Sequence, residues 1–339
     1  MTRLLLLGGG HAHARVLLQF RDFVSKNLHV TLVNPGPIHT YSGMVPGVIA
    51  GHYAATEAQI DLARLVARAG VELVQGVVSS LDPGAKQVAL ASGEALHYDI
   101  VSINLGSVPE GAGDSAIAVK PFDEFIARWR ELRETGPKSP RIAVLGAGAA
   151  GVELAMAMKF ALAGQGRVVL FSDRNMFPAP VAGRIRNALE TLSIEQRTDA
   201  PAYSEFDAMF KATGASATPL LRESGLKTDS RGFVLVDPCL RSASHPDVFA
   251  AGDSASLEGA SVPKSGVYAV RQGAVLAENL KRAVRGMPML DYVPQKDSLS
   301  LISCGGKYAI ASRGGWSAEG RWAWWWKNWL DRRWVSNFS

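Results

Sequence analysis

Residues 141–155, RIAVLGAGAAGVELA, contain the pattern that decides the fold. An apolar run leads into Gly146, Gly148 and Gly151, and a stretch of small residues follows. In a strand–turn–helix unit such glycines permit a tight turn, let the backbone approach a diphosphate, and let the helix pack on the strand. The next apolar run, residues 167–171, is where a second parallel strand is expected. The stretch therefore predicts a dinucleotide-binding unit.

The nucleotide preference of this unit depends on the residues after its second strand. An acidic residue there binds the ribose 2′-hydroxyl of NAD, so Asp173 favours NAD. Ser172 and Arg174 would instead suit the 2′-phosphate of NADP. We predict NADH or NADPH as the ligand, with a preference for NADH.

A second glycine-rich turn opens the chain, where four leucines precede Gly8, Gly9 and Gly10. Residues 29–33 supply the returning strand of this unit. The third glycine position holds His13, which predicts looser or rearranged packing of helix on strand. Asn34 stands where an acidic residue usually binds the ribose, and its amide can donate and accept hydrogen bonds.

Three further segments connect the two units. Residues 98–107 and 206–214 are parallel segments in which an apolar strand ends at a glycine, Gly106 and Gly214 respectively. Residues 247–254, DVFAAGDS, place Gly252 and Asp253 directly after another apolar run. This order resembles the FAD-dependent pyridine nucleotide–disulfide oxidoreductase superfamily along almost the whole chain.

Within that superfamily the sequence is most similar to the type II NADH dehydrogenase-like group. It also resembles the flavoprotein module that is fused to selenide, water dikinase in some bacteria. The segments that carry this narrower resemblance are residues 39–47 (HTYSGMVPG), 263–273 (PKSGVYAVRQG) and the tail 319–333. The kinase part itself is absent from the sequence.

The resemblance implies an α/β fold with two Rossmann-like, three-layer domains, as in glutathione reductase. It implies an FAD-binding domain of residues 1–125 and 220–290, and an NAD(P)H-binding domain of residues 126–219. The sequence departs from the family in this second domain, because the stretch between Phe171 and residues 211–214 is short and the usual β-meander is trimmed. We expect reduced NAD(P)H affinity or a reshaped pocket. Residues 291–339 form a C-terminal segment with a tryptophan-rich amphipathic helix.

The resemblance also assigns roles to single residues. Gly8, Gly10 and His11 are expected at the FAD pyrophosphate, with Asp253 beside the ribityl chain and Gly252 giving the backbone room. The helix that opens near Lys264 and Gly266 is expected to direct its N-terminal dipole at the flavin. The remaining predicted cofactor-binding residues are Asn34, Tyr41, Pro46, Gly106, Gly146, Gly148, Gly151, Asp173 and Gly214.

Two residues are predicted to be catalytic, Glu153 and Lys264. Glu153 is the candidate on the nicotinamide side, although an ordinary solvated helix carboxylate would also fit its position. The predicted function is FAD-dependent NAD(P)H:acceptor oxidoreduction, with a quinone as one candidate acceptor. The alternatives are oxidoreduction of selenium or sulfur species and a non-catalytic, FAD-binding redox sensor or scaffold.

Composition excludes several classes of protein. The net charge of +5 includes no Lys/Arg run, which argues against nucleic-acid binding. Cys239 and Cys304 are far apart, so the chain offers no dithiol and fits a reducing, cytoplasmic compartment. Cys304 could approach the flavin, but a buried inert thiol is favoured. No apolar stretch reaches 18 residues, so no membrane crossing is expected, and no metal site is predicted.

Seven of the eight tryptophans lie between residues 316 and 334. Trp322, Trp325, Trp326 and Trp329 share one face of a helix by their spacing. We expect these rings to pack on the flavin domain or across a dimer interface. Peripheral contact with the inner face of the membrane is the alternative, because a basic helix with a tryptophan face is typical of interfacial anchors.

Overall fold

The structure is a computed structural model that describes residues 1–21, 23–24, 27–111, 116–172 and 177–338. Two parallel sheets carry the fold, as predicted for an α/β protein with two Rossmann-like units. The described helices are α1 (His11–Phe20), α2 (Val45–Ile49), α3 (Leu62–Ala69), α4 (Phe122–Thr135), α5 (Ala149–Ala161), α6 (Ala179–Thr191), α7 (Pro219–Glu223), α8 (Gly266–Arg285) and α9 (Arg321–Ser336).

The described strands are β1 (Thr2–Leu7), β2 (Leu28–Asn34), β3 (Ile38–Thr40), β4 (Gln59–Asp61), β5 (Glu72–Gln75), β6 (Val78–Asp82), β7 (Gln87–Leu90), β8 (Ala95–His97), β9 (Ile100–Ile103), β10 (Val108–Pro109), β11 (Ile117–Ala118), β12 (Arg141–Leu145), β13 (Arg167–Phe171), β14 (Glu195–Arg197), β15 (Ala208–Lys211), β16 (Ala215–Ser216), β17 (Val234–Val236), β18 (Val248–Ala250), β19 (Ala255–Leu257), β20 (Ser300–Ser303), β21 (Ala309–Arg313) and β22 (Trp316–Gly320).

The first sheet has the strand order β18-β9-β1-β2-β5, and all of its pairs are parallel. Its central strand β1 buries Leu4 to Leu7 completely, because a parallel strand is covered on both faces and therefore reads as a continuous apolar run. α1 packs against α8 so closely that a Cβ on Gly273 would lie 2.7 Å from the carbonyl oxygen of Ala12. β18 brings a distant part of the chain into this unit.

The second sheet has the order β11-β15-β12-β13-β14 and is also parallel. It begins at Ile117–Ala118, ahead of the domain boundary expected at residue 126. The residues between β14 and β15 are all described and contain one short 3-10 turn, Tyr203–Glu205. The antiparallel meander β6-β7-β8 belongs to the first unit.

The C-terminal segment forms the antiparallel sheet β20-β21-β22 followed by α9. Ile302 and Ile310 of this sheet, and Cys304 directly after β20, join the core of the second unit. This core also contains Val45 and Ile49 of α2. The segment therefore packs on the second unit close to the loop that follows β3. No helix in the described part of the chain is long and apolar enough to cross a membrane.

Candidate functional site

The first glycine-rich turn is held by Asn104, which directly follows β9, the neighbour of β1 in the first sheet. Gly8 has a φ of +86°, and a Cβ there would lie 2.5 Å from the Asn104 carbonyl oxygen. A Cβ on Gly10 would lie 2.5 Å from the side-chain oxygen of Asn104. Only glycine fits at these two positions, because the turn needs the left-handed conformation at one and close backbone approach at both.

Asn104 links three segments of this site, and the sequence interpretation assigned it no role. Its Oδ1 accepts from the backbone N–H groups of Ala12 (3.1 Å) and His13 (3.3 Å), and its Nδ2 donates to Ala251 (2.9 Å). It thereby satisfies two of the unpaired donors at the start of α1. Its place at the carboxyl end of β9, beside the glycine turn, is the feature by which the sequence could have identified it.

His13 corrects one expectation about the helix–strand contact. The packing is rearranged but not looser, because the imidazole is completely buried. Its Nδ1 lies 2.6 Å from the Gly8 carbonyl oxygen and its Nε2 lies 2.8 Å from Ser102 Oγ. Burial lowers the pKa of His13 to about 4, so the ring is neutral and bridges β9 to the turn.

Asn34 also holds the turn. Its Oδ1 accepts from the Gly9 N–H at 2.8 Å, and its Nδ2 donates to the Gly36 carbonyl at 2.7 Å. One lone pair and one N–H of the amide remain for a ligand, since each amide group can make two hydrogen bonds.

A cavity of about 700 Å³ opens beside this turn. It is lined by residues from the carboxyl ends of β1, β2 and β9 and from the start of α8, which is where ligands bind in sheets of this kind. The predicted cofactor-binding residues that line it are Gly8, Gly10, His11, Asn34, Gly106, Asp253 and Gly266.

An ion pair crosses one wall of the cavity. The Lys120 ammonium donates to Asp253 Oδ2 at 2.8 Å and to Ser107 Oγ at 3.0 Å. Burial opposes ionisation of Asp253, but the charge of Lys120 outweighs it with the help of hydrogen bonds, and the pKa of this carboxyl lies below its usual range. Asp253 is therefore a carboxylate at neutral pH. No sequence motif singled out Lys120.

The cavity wall contains polar atoms that need a partner. Within the described residues, His39 Nε2 and Thr218 Oγ1 are buried without a hydrogen-bond partner, and both residues line the cavity. Such atoms are costly unless a ligand or water pairs with them. Together with the glycine turn at the start of α1, they fit a diphosphate-containing nucleotide.

The other residues expected around the flavin lie near the cavity. The ring of Tyr41 is 5.3 Å from that of His11, and Pro46 is buried in the first turn of α2. Gly252 has a φ of +64° and donates to Gln272 Oε1 at 2.6 Å. Lys264 contacts the Ala255 carbonyl and lies 3.9 Å above the ring of Phe233, so its predicted catalytic role stays a prediction.

The second glycine-rich turn has the same arrangement as the first and keeps all three glycines of the motif. Gly146 has a φ of +102°, and a Cβ on Gly151 would lie 1.8 Å from the Gly146 carbonyl oxygen. Gly148 is the N-cap of α5, with open space where its Cβ would be. The Gly214 carbonyl oxygen accepts a hydrogen bond from the Glu110 N–H at 2.7 Å, at a point where the chain passes between the two units. Asp173 lies outside the described residues.

Glu153 belongs to a polar cluster beneath α9. The cluster comprises Glu153, Lys327, Asp331 and Tyr41. Hydrogen bonds join the last three, and Glu153 interacts with Lys327 and Asp331 through charge. Glu153 Oε1 accepts from the Ser303 N–H at 2.7 Å. Lys327 donates to Asp331 at 2.9 Å and to the Gly43 carbonyl at 2.7 Å, and the Tyr41 hydroxyl donates to Asp331 at 3.1 Å. Tyr41 therefore connects the cluster to His11 in the cavity wall.

Burial makes Glu153 a weaker acid than a solvated glutamate. Burial raises the pKa of Glu153 to about 6, against the opposing charge of Lys327 and the Ser303 hydrogen bond. Burial opposes the charge on Lys327, but Asp331 and Glu153 outweigh it, and the pKa of Lys327 is raised. Glu153 is thus no ordinary solvated carboxylate. The ion pair Lys327–Asp331 lies on the inward face of α9, which the tryptophan pattern did not indicate.

The four tryptophans expected to pack are only partly covered by the rest of the chain. Trp322, Trp325, Trp326 and Trp329 are between 38% and 53% exposed, so packing within the chain buries each ring incompletely. Trp324 takes the buried position instead, since Ala309 and Ala311 of β21 lie beneath it. The dimer and membrane interpretations remain predictions.

Cys304 is buried, as favoured from its sequence context. Burial raises the pKa of its thiol to about 12, and the nearby carboxylates of Glu153 and Glu319 act in the same direction. Reactive cysteines need thiolate character, so this side chain is a poor nucleophile at neutral pH.

Two glycine turns on parallel sheets and a nucleotide-sized cavity agree with one family model. It is the model described as Pyridine nucleotide-disulphide oxidoreductase, and it matches residues 2–202 and 199–273. The chain belongs to this family. The match ends before the C-terminal sheet and α9, so the tail lies outside the part that the family model covers.

Relatives extend the similarity over most of the chain. The NADH dehydrogenase-like protein YutJ of Bacillus subtilis is 23% identical, over 91% of this chain and 91% of its own length. A type II NADH:quinone oxidoreductase of Staphylococcus saprophyticus is 22% identical, over 86% of this chain and 84% of its own length. The sulfide:quinone oxidoreductase structure from Aquifex aeolicus has a TM-score of 0.80 at 16% identity, covering 100% of this chain and 91% of that one.

These findings confirm the predicted superfamily, the NADH dehydrogenase-like grouping and the α/β fold. They also confirm that the chain belongs to a family of oxidoreductases that use FAD and NADH or NADPH.

Proposed function

We propose that the protein passes electrons from NAD(P)H through FAD to a quinone. The observation that carries this proposal is the partly buried cluster of Glu153, Lys327, Asp331 and Tyr41, which links the inward face of α9 to the cavity wall. It supplies protonatable groups beside residues 41–46, the loop after β3 that is expected next to the flavin and is called the flavin loop below. Reduction of a quinone to a quinol consumes two protons with two electrons. The relative from Staphylococcus saprophyticus is itself named a quinone oxidoreductase, which supports the same acceptor.

The cavity beside β1 is the proposed FAD site. The start of α1, with Gly8, Gly10 and His11, would hold the pyrophosphate, because a helix N-terminus carries partial positive charge. Gly266, at the start of α8, would present a second helix N-terminus to the flavin. FAD, when bound, accepts hydride from the nicotinamide and releases electrons to the acceptor.

The turn at Gly146, Gly148 and Gly151 is the proposed NAD(P)H site. α5 begins at this turn and also carries Glu153, so one helix would connect the nucleotide site to the polar cluster. The preference for NADH rests on Asp173 and stays a prediction.

Proton supply is the proposed role of Glu153, and Lys327 is the fixed cation beside it. A carboxyl with a pKa of about 6 is partly protonated near neutrality, which suits a proton donor. Lys327 is held by Asp331 and the Gly43 carbonyl, so its ammonium is fixed in position. Both groups lie inside the protein, where their charge is little screened.

We further propose that the exposed tryptophans meet a lipid surface carrying anionic headgroups. Trp325 and Trp329 are each more than half exposed, and cations accompany them. Lys307 lies 5.9 Å from the Trp325 ring and Arg333 lies 5.1 Å from the Trp329 ring. Tryptophan beside basic residues is typical of interfacial helices. A cytoplasmic, peripheral position on the inner membrane face would bring the site close to lipid-soluble quinone.

Anaerobic titration tests the proposed function. The purified protein should contain FAD, bleach on addition of NADH or NADPH, and regain its absorbance when a short-chain quinone is added. A flavin that neither nicotinamide reduces would contradict the proposal and favour the non-catalytic redox sensor or scaffold. A flavin that is reduced but ignores quinone would exclude the acceptor alone.

Oxidation of sulfur or selenium species remains the alternative function. It draws on the resemblance to the module fused to selenide, water dikinase, and the cysteine environment gives it no support, since burial raises the Cys304 pKa. Sulfide, polysulfide and selenide should leave the oxidised flavin spectrum unchanged without oxygen. Bleaching by any of them would establish the alternative.

A further inference from the structure

Lys120 lies on the segment that crosses from the first unit to the second. It follows β11, which pairs with β15 of the second sheet, and it precedes α4. Its ammonium nevertheless turns into the cavity of the first unit, where Asp253 and Ser107 accept two of its three N–H groups. One donor remains for another partner.

The charges around the cavity make the remaining N–H of Lys120 important for binding an anionic ligand. Three carboxylate residues line the cavity, Asp123, Glu124 and Asp253. The two lining histidines are neutral, because burial, the largest cause in each case, lowers the pKa of His11 to about 3 and of His39 to about 4. Among the lining residues that the structure describes, Lys120 is the only lysine or arginine.

A diphosphate brings further negative charge into this acidic cavity. Helix N-termini carry partial charges and offset it incompletely. A full cation that two protein acceptors already hold in place loses little freedom on binding, so its contribution to affinity is large. We propose that Lys120 donates its third N–H to the diphosphate of the bound dinucleotide and thereby raises the affinity of the site for the cofactor. This inference rests on the proposed FAD site.

Reconstitution of the cofactor-depleted protein with FAD, followed by flavin fluorescence, tests this role. Lys120→Met should raise the dissociation constant for FAD by about tenfold or more, as expected for a lost charge-assisted hydrogen bond. Lys120→Arg should remain close to the unaltered protein. Lys86→Met is the matched control, because Lys86 also pairs with an aspartate, Asp247, but does so elsewhere on the first unit.

Competition with FAD separates cofactor contact from a merely structural role. In Lys120→Met the inhibition constant of ADP, which carries a diphosphate, should rise about tenfold, and that of adenosine should not change. Equal weakening of both ligands, or equal FAD affinity in Lys120→Met and Lys86→Met, would overturn the inference. If the unaltered protein does not bind FAD, the proposed function fails and the result is distinct from both.

Discussion

Glu153 combines a raised pKa with a fixed hydrogen-bond donor. The Ser303 N–H holds one carboxylate oxygen at 2.7 Å, while burial raises the pKa to about 6. The usual value for a glutamate is about 4.3. The protonated fraction of Glu153 therefore falls as the pH rises through about 6, and a step that takes a proton from it should slow over the same range.

Glu153→Gln tests this assignment. In the unaltered protein the rate at which quinone reoxidises the reduced enzyme should fall about tenfold per pH unit above about 6, the limit for loss of one proton. The glutamine variant should be slower at pH 5 and should lack this dependence. Stopped-flow absorbance measures the rate, and Glu190→Gln, on the exposed side of α6, is the control. A pH profile that persists in Glu153→Gln would exclude Glu153 as the donor.

His13 shows how one residue can replace a motif glycine. A glycine in that position would leave the Gly8 carbonyl and Ser102 hydroxyl without their present partner. The imidazole restores contact between helix and strand through two hydrogen bonds. The sequence showed that the motif was broken, but not how, because the partner Ser102 is 89 positions away.

At the scale of elements, α9 has two faces with different tasks. Its inward face carries the Lys327–Asp331 pair and contacts the flavin loop through Gly43 and Tyr41. Its outward face carries the exposed tryptophans. A surface that binds α9 is therefore one helix diameter, about 10 Å, from the polar cluster.

Replacement of two outward tryptophans tests the lipid surface. Trp325→Gln/Trp329→Gln should lower binding to phosphatidylglycerol-containing vesicles about tenfold or more, because the rings would lose their burial in the interface. Co-sedimentation measures binding, and FAD content should not change. Met287→Gln/Leu290→Gln removes comparably exposed apolar side chains elsewhere and should bind as before.

Two results would contradict the lipid assignment. The unaltered protein could remain in the supernatant with vesicles of every composition. Alternatively, it could elute as a dimer that the double tryptophan variant converts to a monomer, in which case the rings form a subunit interface.

At the scale of the whole molecule, the C-terminal segment ties the second unit to the flavin loop. Arg184 of α6 donates to Ser317 Oγ at 3.1 Å and pairs with Glu319 at 3.0 Å. From β22 the chain runs directly into α9, whose Lys327 binds Gly43 in the first unit. This path gives a physical connection between the two proposed nucleotide sites.

Arg184→Met should loosen that connection. Hydrogen exchange should become about tenfold faster in β21 and β22, since the loss of about 1.4 kcal/mol of local stability corresponds to that factor. The two glycine turns should keep their protection. Arg186→Met, which removes an exposed arginine from the same helix, should leave exchange unchanged. Unchanged exchange in Arg184→Met would show that Arg184 does not hold the segment.

The sequence by itself determined the two units, their glycine turns and the family. These features are local: a buried strand, a turn that needs glycine at Gly8 or Gly146 and a following helix occupy adjacent residues, so their pattern can be recognised without knowledge of distant contacts. The positions of Gly106, Asp253 and Gly266 around one cavity followed from the same order of segments and the resemblance it carries.

Only the tertiary structure decided which polar side chains meet around these two units. Asn104, Lys120 and Lys327 meet partners 92, 133 and 284 positions away, and no short motif encodes those pairings. It also decided that the tryptophan face of α9 points outward, because helical spacing shows which residues share a face but not which face the remainder of the chain covers. Charges and exposed rings acquire their roles from what is packed beside them, and that packing is non-local.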